Sequence, residues 1–413
     1  ISKQKMSTPL KLLITLFFLS SVAVVFLTPF WLVEPKLRAI SYSLGGGLIY
    51  LLILDGVFRL VVRIARGHPY QMRDKIPFKK MYVEPHPYLP YVLKKKFLLQ
   101  HKQPTNYPLD LENKYHFGQY YTNNLRHVNG PDGSRDVVIP KPQGMFRINC
   151  LGGSTTQNYI QQGGETFSYP MELEEILKNR FPEKNIEVNN CGMGGFSTAE
   201  VLIKFLLNSI DSKPDMVILY HAYNDLAPSL TSDFQSDYFH ARRNLGERYH
   251  LYKWASLVPY IPLALPNYLM NIFLPQNSRQ TLLTATSKGT IDLNNEFKGL
   301  ETYRRNIEHL IHICKGNEIS LVFSTFCHFL YPEIENNLRH LKYREGTLDE
   351  NRVLEELADK HDLPLVDNFN LVPCEKKYFV DSVHFSPEGM REVAKNLSKP
   401  IIAHLDSMGS NIL

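Results

Sequence analysis

From Phe146 onward, short apolar runs alternate with longer stretches whose apolar residues recur every three or four positions. The runs Arg147–Leu151, Ile186–Asn190, Met216–Tyr220, Leu321–Thr325 and Pro364–Val366 are short, apolar and often β-branched, and they predict strands. Ser168–Arg180, Thr198–Ser209 and Leu300–Lys315 predict helices between them, and a last helix is expected to start at Ser386-Pro-Glu. There a cap oxygen is followed by a proline where no N–H is needed and by an acid near the positive helix end. Strands alternating with helices predict a parallel sheet with helices on both faces, a three-layer α/β/α domain over residues 145–406.

The first 66 residues follow another pattern. Leu12 to Val33 contains 22 residues without a charge, enough to cross a hydrocarbon core. That run is too long for a signal peptide, and no small-residue cleavage site follows it. Ile40 to Val62 predicts a second transmembrane helix, although Asp55 and Arg59 at i,i+4 leave an amphipathic interfacial helix as its competitor. Residues 1–66 thus read as a membrane anchor whose partner is the lipid bilayer. Basic residues flank both outer ends, at Lys3, Lys5 and Lys11 and again from Arg59 to Lys80, which favours a hairpin with the large domain on the cytoplasmic side. If the second segment is only interfacial, the domain lies on the exterior or periplasmic side.

Residues 67–144 form a turn-rich joining region, with Pro and Gly in His86-Pro-Tyr-Leu-Pro-Tyr91 and around Asn129 breaking any helix. An insert runs from about residue 226 to 298. Inside it, Trp254 to Ser278 carries no charge but holds Pro259, Pro262, Pro266 and Pro275, which argue against a third spanning helix. The segment reads as a lid or a lipid-facing patch, with an oligomer contact and ordinary packing as the other readings.

Composition changes this picture little. The chain has 413 residues, 44% hydrophobic and 21% charged, with a net charge of +5, and its basic residues form no stripe interleaved with aromatics, so nucleic acid is not an expected partner. Cys150, Cys191, Cys314, Cys327 and Cys374 are an odd set without metal-ligand spacing. Buried free thiols are expected, with no metal and no cofactor.

Four blocks carry candidate chemistry: Leu151-Gly-Gly-Ser154, Asn190-Cys-Gly-Met-Gly-Gly195, Tyr223-Asn224-Asp225 and Asp381-Ser-Val-His384. The first three closely follow predicted strands, and in such sheets functional residues gather at the strands' carboxyl ends. Serine, glycine, asparagine and histidine in this order closely resemble the SGNH (GDSL-type) hydrolases, over roughly residues 145 to 406. The resemblance implies a flavodoxin-like domain of five parallel strands in the order 2-1-3-4-5. It implies Ser154 as nucleophile, His384 as base and Asp381 as the group orienting the imidazole. The Ser154 and Gly195 N–H groups and the Asn224 amide would form the oxyanion site. Two departures stand out. Gly153 replaces the aspartate of the Gly-Asp-Ser block, and Ala222 replaces the glycine two before the asparagine. His221, Tyr223 and His328 could line the pocket or pack in the core.

The expected function is a membrane-anchored serine esterase or deacylase acting on an acyl or acetyl ester of a lipid or envelope saccharide. Two competitors share the fold. One is a catalytically silent subunit serving as an interaction module, with membrane-protein partners or a homo-oligomer; the other is an acyltransferase using the same residues.

Overall fold

The computed structural model describes residues 34–67, 83–99, 109, 116–117, 120–128, 135–162, 165–241, 243–244, 284–285 and 291–409. The chain divides into two units, residues 1–81 with 245–283 and residues 82–244 with 284–413.

The second unit is built on five parallel strands: β1 (Met145–Gly152), β2 (Asn185–Asn190), β3 (Met216–Tyr220), β4 (Ser320–Ser324) and β5 (Leu365–Val366). Their spatial order is 2-1-3-4-5, as the resemblance implies. Alternate residues serve opposite faces. Ile148, Cys150, Ile218, Tyr220 and Val322 join one buried cluster, whereas Val217, Leu219, Leu321 and Phe323 are buried outside it.

Helices cover both faces. In the first unit lies α1 (Pro35–Arg66). In the second come α2 (Tyr169–Arg180), α3 (Thr198–Leu207), α4 (Leu300–Gly316), α5 (Leu338–His361) and α6 (Pro387–Gly409). Helices α2 and α6 share the Ile148 cluster through Leu173, Leu177, Val393, Leu397 and Ile401, while α3 packs with α4, and α4 with α5. Local chemistry starts three of these helices. Ser168 accepts the Met171 N–H at 3.4 Å, Ser197 and Glu200 form a capping box, and Ser386 Oγ accepts the Gly389 N–H at 3.2 Å.

One long helix has no counterpart among the sequence-based expectations. Helix α5 has 24 residues, but its buried positions include Gly346, Thr347, Glu350 and Asn351 beside Tyr343, Val353, Leu354 and Leu357. Polar residues on the inward face break the apolar periodicity that would have announced it.

The transmembrane expectation needs correction. Leu12–Val33 lies outside the described residues. Ile40–Val62 does fall within α1, and Arg59 Nε bonds Asp55 Oδ2 at 2.7 Å as the spacing suggests. Among the described residues, however, no helix is long and apolar enough to cross a membrane. At 32 residues α1 is not short of length. Its apolar character is diluted by Gly45-Gly-Gly47, two serines, two tyrosines and the Asp55 and Arg59 charges. Trp254–Ser278 also lies outside the described residues. All five cysteines are free, with only Cys374 exposed, and burial raises the Cys327 thiol to about 12 and that of Cys191 to about 11.

In the joining region, short antiparallel pairs link Val83–Glu84 to Val92–Leu93 and Leu98–Leu99 to Tyr120–Tyr121. Its residues tie down loops of the sheet: Tyr91 Oη donates to Gly194 O, and Val128 N–H reaches Asn190 O at 3.4 Å.

The sheet also contains a buried polar stack. Arg147 at the start of β1 is fully buried, with Nε 2.9 Å from Glu187 Oε1 on β2 and further bonds to Ser212 O and Val138 O. Breaking such a pair leaves an uncompensated charge in the interior. Glu187→Ala should therefore destabilise the chain by about 3–5 kcal/mol, measured by urea unfolding followed with circular dichroism.

Candidate active site

Strand register brings the candidate blocks to one edge. Tyr220 is opposite Gly152 and Ser324, Cys150 is opposite Asn190, and Ser324 is opposite Val366, so the strands end at nearly one level. The segments that follow carry Ser154, Gly195 and Asn224. Gly153 is the pivot between β1 and a helical turn, Ser154–Gln157, closed by Gln157 N–H to Gly153 O at 3.0 Å. A Cβ at position 153 would lie 2.6 Å from Asn224 Nδ2 and 3.7 Å from the His221 ring. A side chain at position 153 would press on the Asn224 amide.

His384 arrives from the loop ahead of α6. Its Nε2 is 2.9 Å from Ser154 Oγ and its Nδ1 is 2.7 Å from Asp381 Oδ2. The spacing of three residues works because Asp381 also organises its own loop. Its Oδ1 accepts the Val383 N–H at 2.9 Å and the His384 N–H at 2.7 Å. Val380 N–H closes the loop on His384 O at 2.9 Å, and Phe329 N–H holds Ser382 O at 2.7 Å. Burial alone would raise the Asp381 carboxyl, but the charge of His384 and the hydrogen bonds from His384 and Val383 outweigh it and lower the pKa. An ionised Asp381 only accepts, so Nδ1 carries the imidazole proton and Nε2 is left as an acceptor for the serine hydroxyl.

The glycine block after β2 is held by side chains. Asn190 Oδ1 accepts the Gly192 N–H at 3.1 Å, and Gln157 Oε1 accepts the Gly194 N–H at 2.7 Å. Gly195 has φ +80°, a left-handed conformation that favours glycine, and it is exposed. Among the described residues its N–H has no acceptor. Beneath the loop, Lys204 Nζ donates to Cys191 O, and burial lowers its pKa to about 8. Asn224 Nδ2 donates to Phe196 O at 2.8 Å. That bond and its closeness to Gly153 set the amide between the Gly195 loop and the serine turn. One amide proton is committed to Phe196, and the other can serve a ligand.

The residues left open between pocket and core divide as follows. His221 is fully buried, with Nε2 2.9 Å from Asp225 Oδ2. Asp225 also accepts the Thr198 N–H at 2.9 Å and the Thr198 hydroxyl at 2.6 Å, tying the third block to the start of α3. His328 is buried beside Thr347 Oγ1 at 3.4 Å, and burial lowers its pKa to about 3, so it stays neutral packing. Tyr223 stacks on Phe326 at 6.4 Å and meets Tyr343 edge-on at 5.3 Å. The sequence reading missed Glu350, whose Oε2 accepts the Tyr223 N–H at 3.1 Å. No sequence signal marks it, because Glu350 stands in a stretch whose apolar periodicity is broken by other inward-facing polar residues.

Residues 150–392 match the GDSL-like Lipase/Acylhydrolase family. No curated protein matches the chain. Among solved structures, the chain is similar to the lipase/acylhydrolase from Enterococcus faecalis at 16% identity, covering 63% of this chain and 97% of that one with a TM-score of 0.38. A GDSL-like lipase from Bacteroides thetaiotaomicron is similar at 14% identity, with coverage of 62% and 88% and a TM-score of 0.35. An acetyl xylan esterase from Geobacillus stearothermophilus is similar at 17% identity, with coverage of 61% and 92% and a TM-score of 0.37.

The Asp381 loop makes a linked prediction about stability. A carboxyl whose folded-state pKa is depressed stabilises fully above its unfolded value, about 3.9, and loses that contribution as pH falls through the folded value. Asp381→Asn keeps an oxygen for the two backbone N–H groups but removes the charge. Wild type should therefore be the more stable at pH 7, and the gap should close as pH drops below about 4. Parallel urea titrations of the two proteins would read it.

Proposed function

The chain belongs to the GDSL-like lipase/acylhydrolase family, and we propose that it is a serine ester hydrolase using Ser154, His384 and Asp381, tethered to a membrane by its N-terminal segment. The observation that carries this reading is the His384 ring, bonded at 2.9 Å to Ser154 Oγ on one side and at 2.7 Å to Asp381 on the other. A serine hydroxyl is a weak nucleophile until a base takes its proton. As Oγ attacks the ester carbonyl, His384 Nε2 accepts that proton, and Asp381 stabilises the imidazolium that forms. The proton then passes to the departing alcohol as the C–O bond breaks. Water, deprotonated by the same imidazole, cleaves the acyl-serine and restores the free hydroxyl. The oxyanion of each tetrahedral intermediate is received by the N–H groups of Ser154 and Gly195 and by the Asn224 amide.

A fluorophosphonate probe should label Ser154. Ser154→Ala should abolish both labelling and ester cleavage without changing the melting temperature. Asn224→Ala should lower turnover about 100- to 1000-fold, the usual cost of one oxyanion donor. Full activity in Ser154→Ala would place the nucleophile elsewhere.

The tether is proposed as Leu12–Val33, with α1 lying against the bilayer surface. Support comes from the uncharged length of the first segment and from the exposed Ile40, Tyr50, Ile53, Leu60 and Ile64 on α1. A bilayer location suits an acyl or acetyl ester of a lipid or envelope saccharide. With one crossing, Lys3, Lys5 and Lys11 stay inside and the hydrolase domain faces the exterior. In intact cells carrying Cys374→Ser, a membrane-impermeant thiol reagent should label Lys80→Cys but not Lys5→Cys. Protection of both would mean a hairpin and a cytoplasmic domain.

A further inference from the structure

The Asn224 amide hangs from a strained turn. Tyr223 has φ +68°, and the Asn224 N–H reaches back to Ala222 O at 2.7 Å, the closure of a γ-turn in its rare positive-φ form. A tyrosine in this region is costly and persists only where its surroundings over-determine it. The Tyr223 ring is clasped by Phe326 and Tyr343, and His328 meets it edge-on at 5.6 Å. The Tyr223 carbonyl accepts the Leu226 N–H at 3.3 Å from within the same segment, and its N–H reaches outside that segment, to Glu350 Oε2 at 3.1 Å.

Glu350 is 2% exposed and belongs to α5, a helix that carries none of the four blocks. Burial, and then the nearby Asp225 carboxylate, push its carboxyl well above the usual carboxylate range. A neutral acid here can accept the Tyr223 N–H without adding a second charge beside Asp225. Among the described residues it makes no hydrogen bond to Ser154, His384 or Asp381, so proton transfer in the reaction is not its work. Asp225 is held separately, by Thr198 and His221. The turn is therefore held on both sides of Asn224, by Glu350 of α5 through Tyr223 on one side and by Thr198 of α3 and His221 through Asp225 on the other.

We propose that Glu350 is a positioning residue for the oxyanion site: its bond to the Tyr223 N–H holds the left-handed turn that presents the Asn224 amide. This rests on the reading of Asn224 as an oxyanion donor. Without the bond, Tyr223 relaxes toward negative φ and the amide swings away from the Phe196 carbonyl and the serine turn. Substrate binding does not use the Glu350 side chain, so the loss falls on kcat.

The full-length protein, solubilised in detergent and assayed on p-nitrophenyl acetate, tests it. Glu350→Gln still offers an oxygen to the Tyr223 N–H and should stay within about twofold of wild type, whereas Glu350→Leu should lower kcat about 10- to 100-fold with KM unchanged. Placed in Asn224→Ala, Glu350→Leu should cost less than about a further twofold, because the group it positions is already gone. Should Glu350→Leu fail to fold, Glu350→Asp gives the same reading, since it keeps the acid but withdraws the acceptor by one methylene. Equal losses with and without Asn224, an unchanged kcat, or a Gln variant as damaged as the Leu variant would each overturn the proposal. Activity surviving in Ser154→Ala would instead overturn the reading of the site and leave the turn's role in the fold untouched.

Discussion

Tyr220 lies opposite Gly152 on one side and Ser324 on the other, and this shared level at the end of three parallel strands is the constraint on which the site depends. Because the strands stop together, the turns that leave them meet without long excursions. The serine turn, the glycine loop and the Tyr223 turn interlock through short bonds: Asn190 to Thr156 O at 2.8 Å, Gln157 to the Gly194 N–H, and Asn224 to Phe196 O. A slip of one residue between parallel strands would reverse the facing of every side chain and separate these partners. Register is secured at the far end as well, where Arg147 and Glu187 pair across β1 and β2 in the buried interior.

The Ser154 side and the Asn224 side are held by different means. His384 is oriented from within its own loop, where one carboxylate serves two backbone N–H groups and the imidazole together. That arrangement is local and survives wherever the loop docks. The Asn224 side is assembled from distant pieces: α3 contributes Thr198, the turn itself contributes His221, and α5 contributes Glu350. The Asp225 and Glu350 carboxyl groups are both buried here, and burial together with the Asp225 charge pushes the Glu350 carboxyl well above the usual carboxylate range. Buried polar networks of this kind hold one geometry well because each unsatisfied member is expensive.

Much of this was legible in the sequence. Strand positions, the cap at Ser386 and the loop pairing of Asp381 with His384 follow from short-range chemistry, which spacing records directly, whereas the strand order was implied by the resemblance alone. Helix α5 was not legible, because Gly346, Thr347, Glu350 and Asn351 face inward and hide its apolar stripe. The three with side chains each have a particular partner: Thr347 bonds Tyr343 O, Asn351 brackets Phe326, and Glu350 holds Tyr223. The spanning character expected of Ile40–Val62 was an over-reading in the other direction, since a helix forms there but its glycines and charges leave it too polar to cross a bilayer.

By itself, the sequence determined which residue types stand at the ends of which strands, and hence the chemistry on offer: an activatable hydroxyl, an imidazole with a carboxylate three residues away, a glycine loop and an amide. Only the tertiary structure decided how the Asn224 side is held. The positive φ of Tyr223 and its bond to Glu350, 127 residues along the chain, leave no periodicity or spacing to read. The physical reason is range. Caps, turns and alternation act over a few residues and are written locally, whereas a buried acid that steadies a strained backbone exists only once distant segments have packed and excluded water.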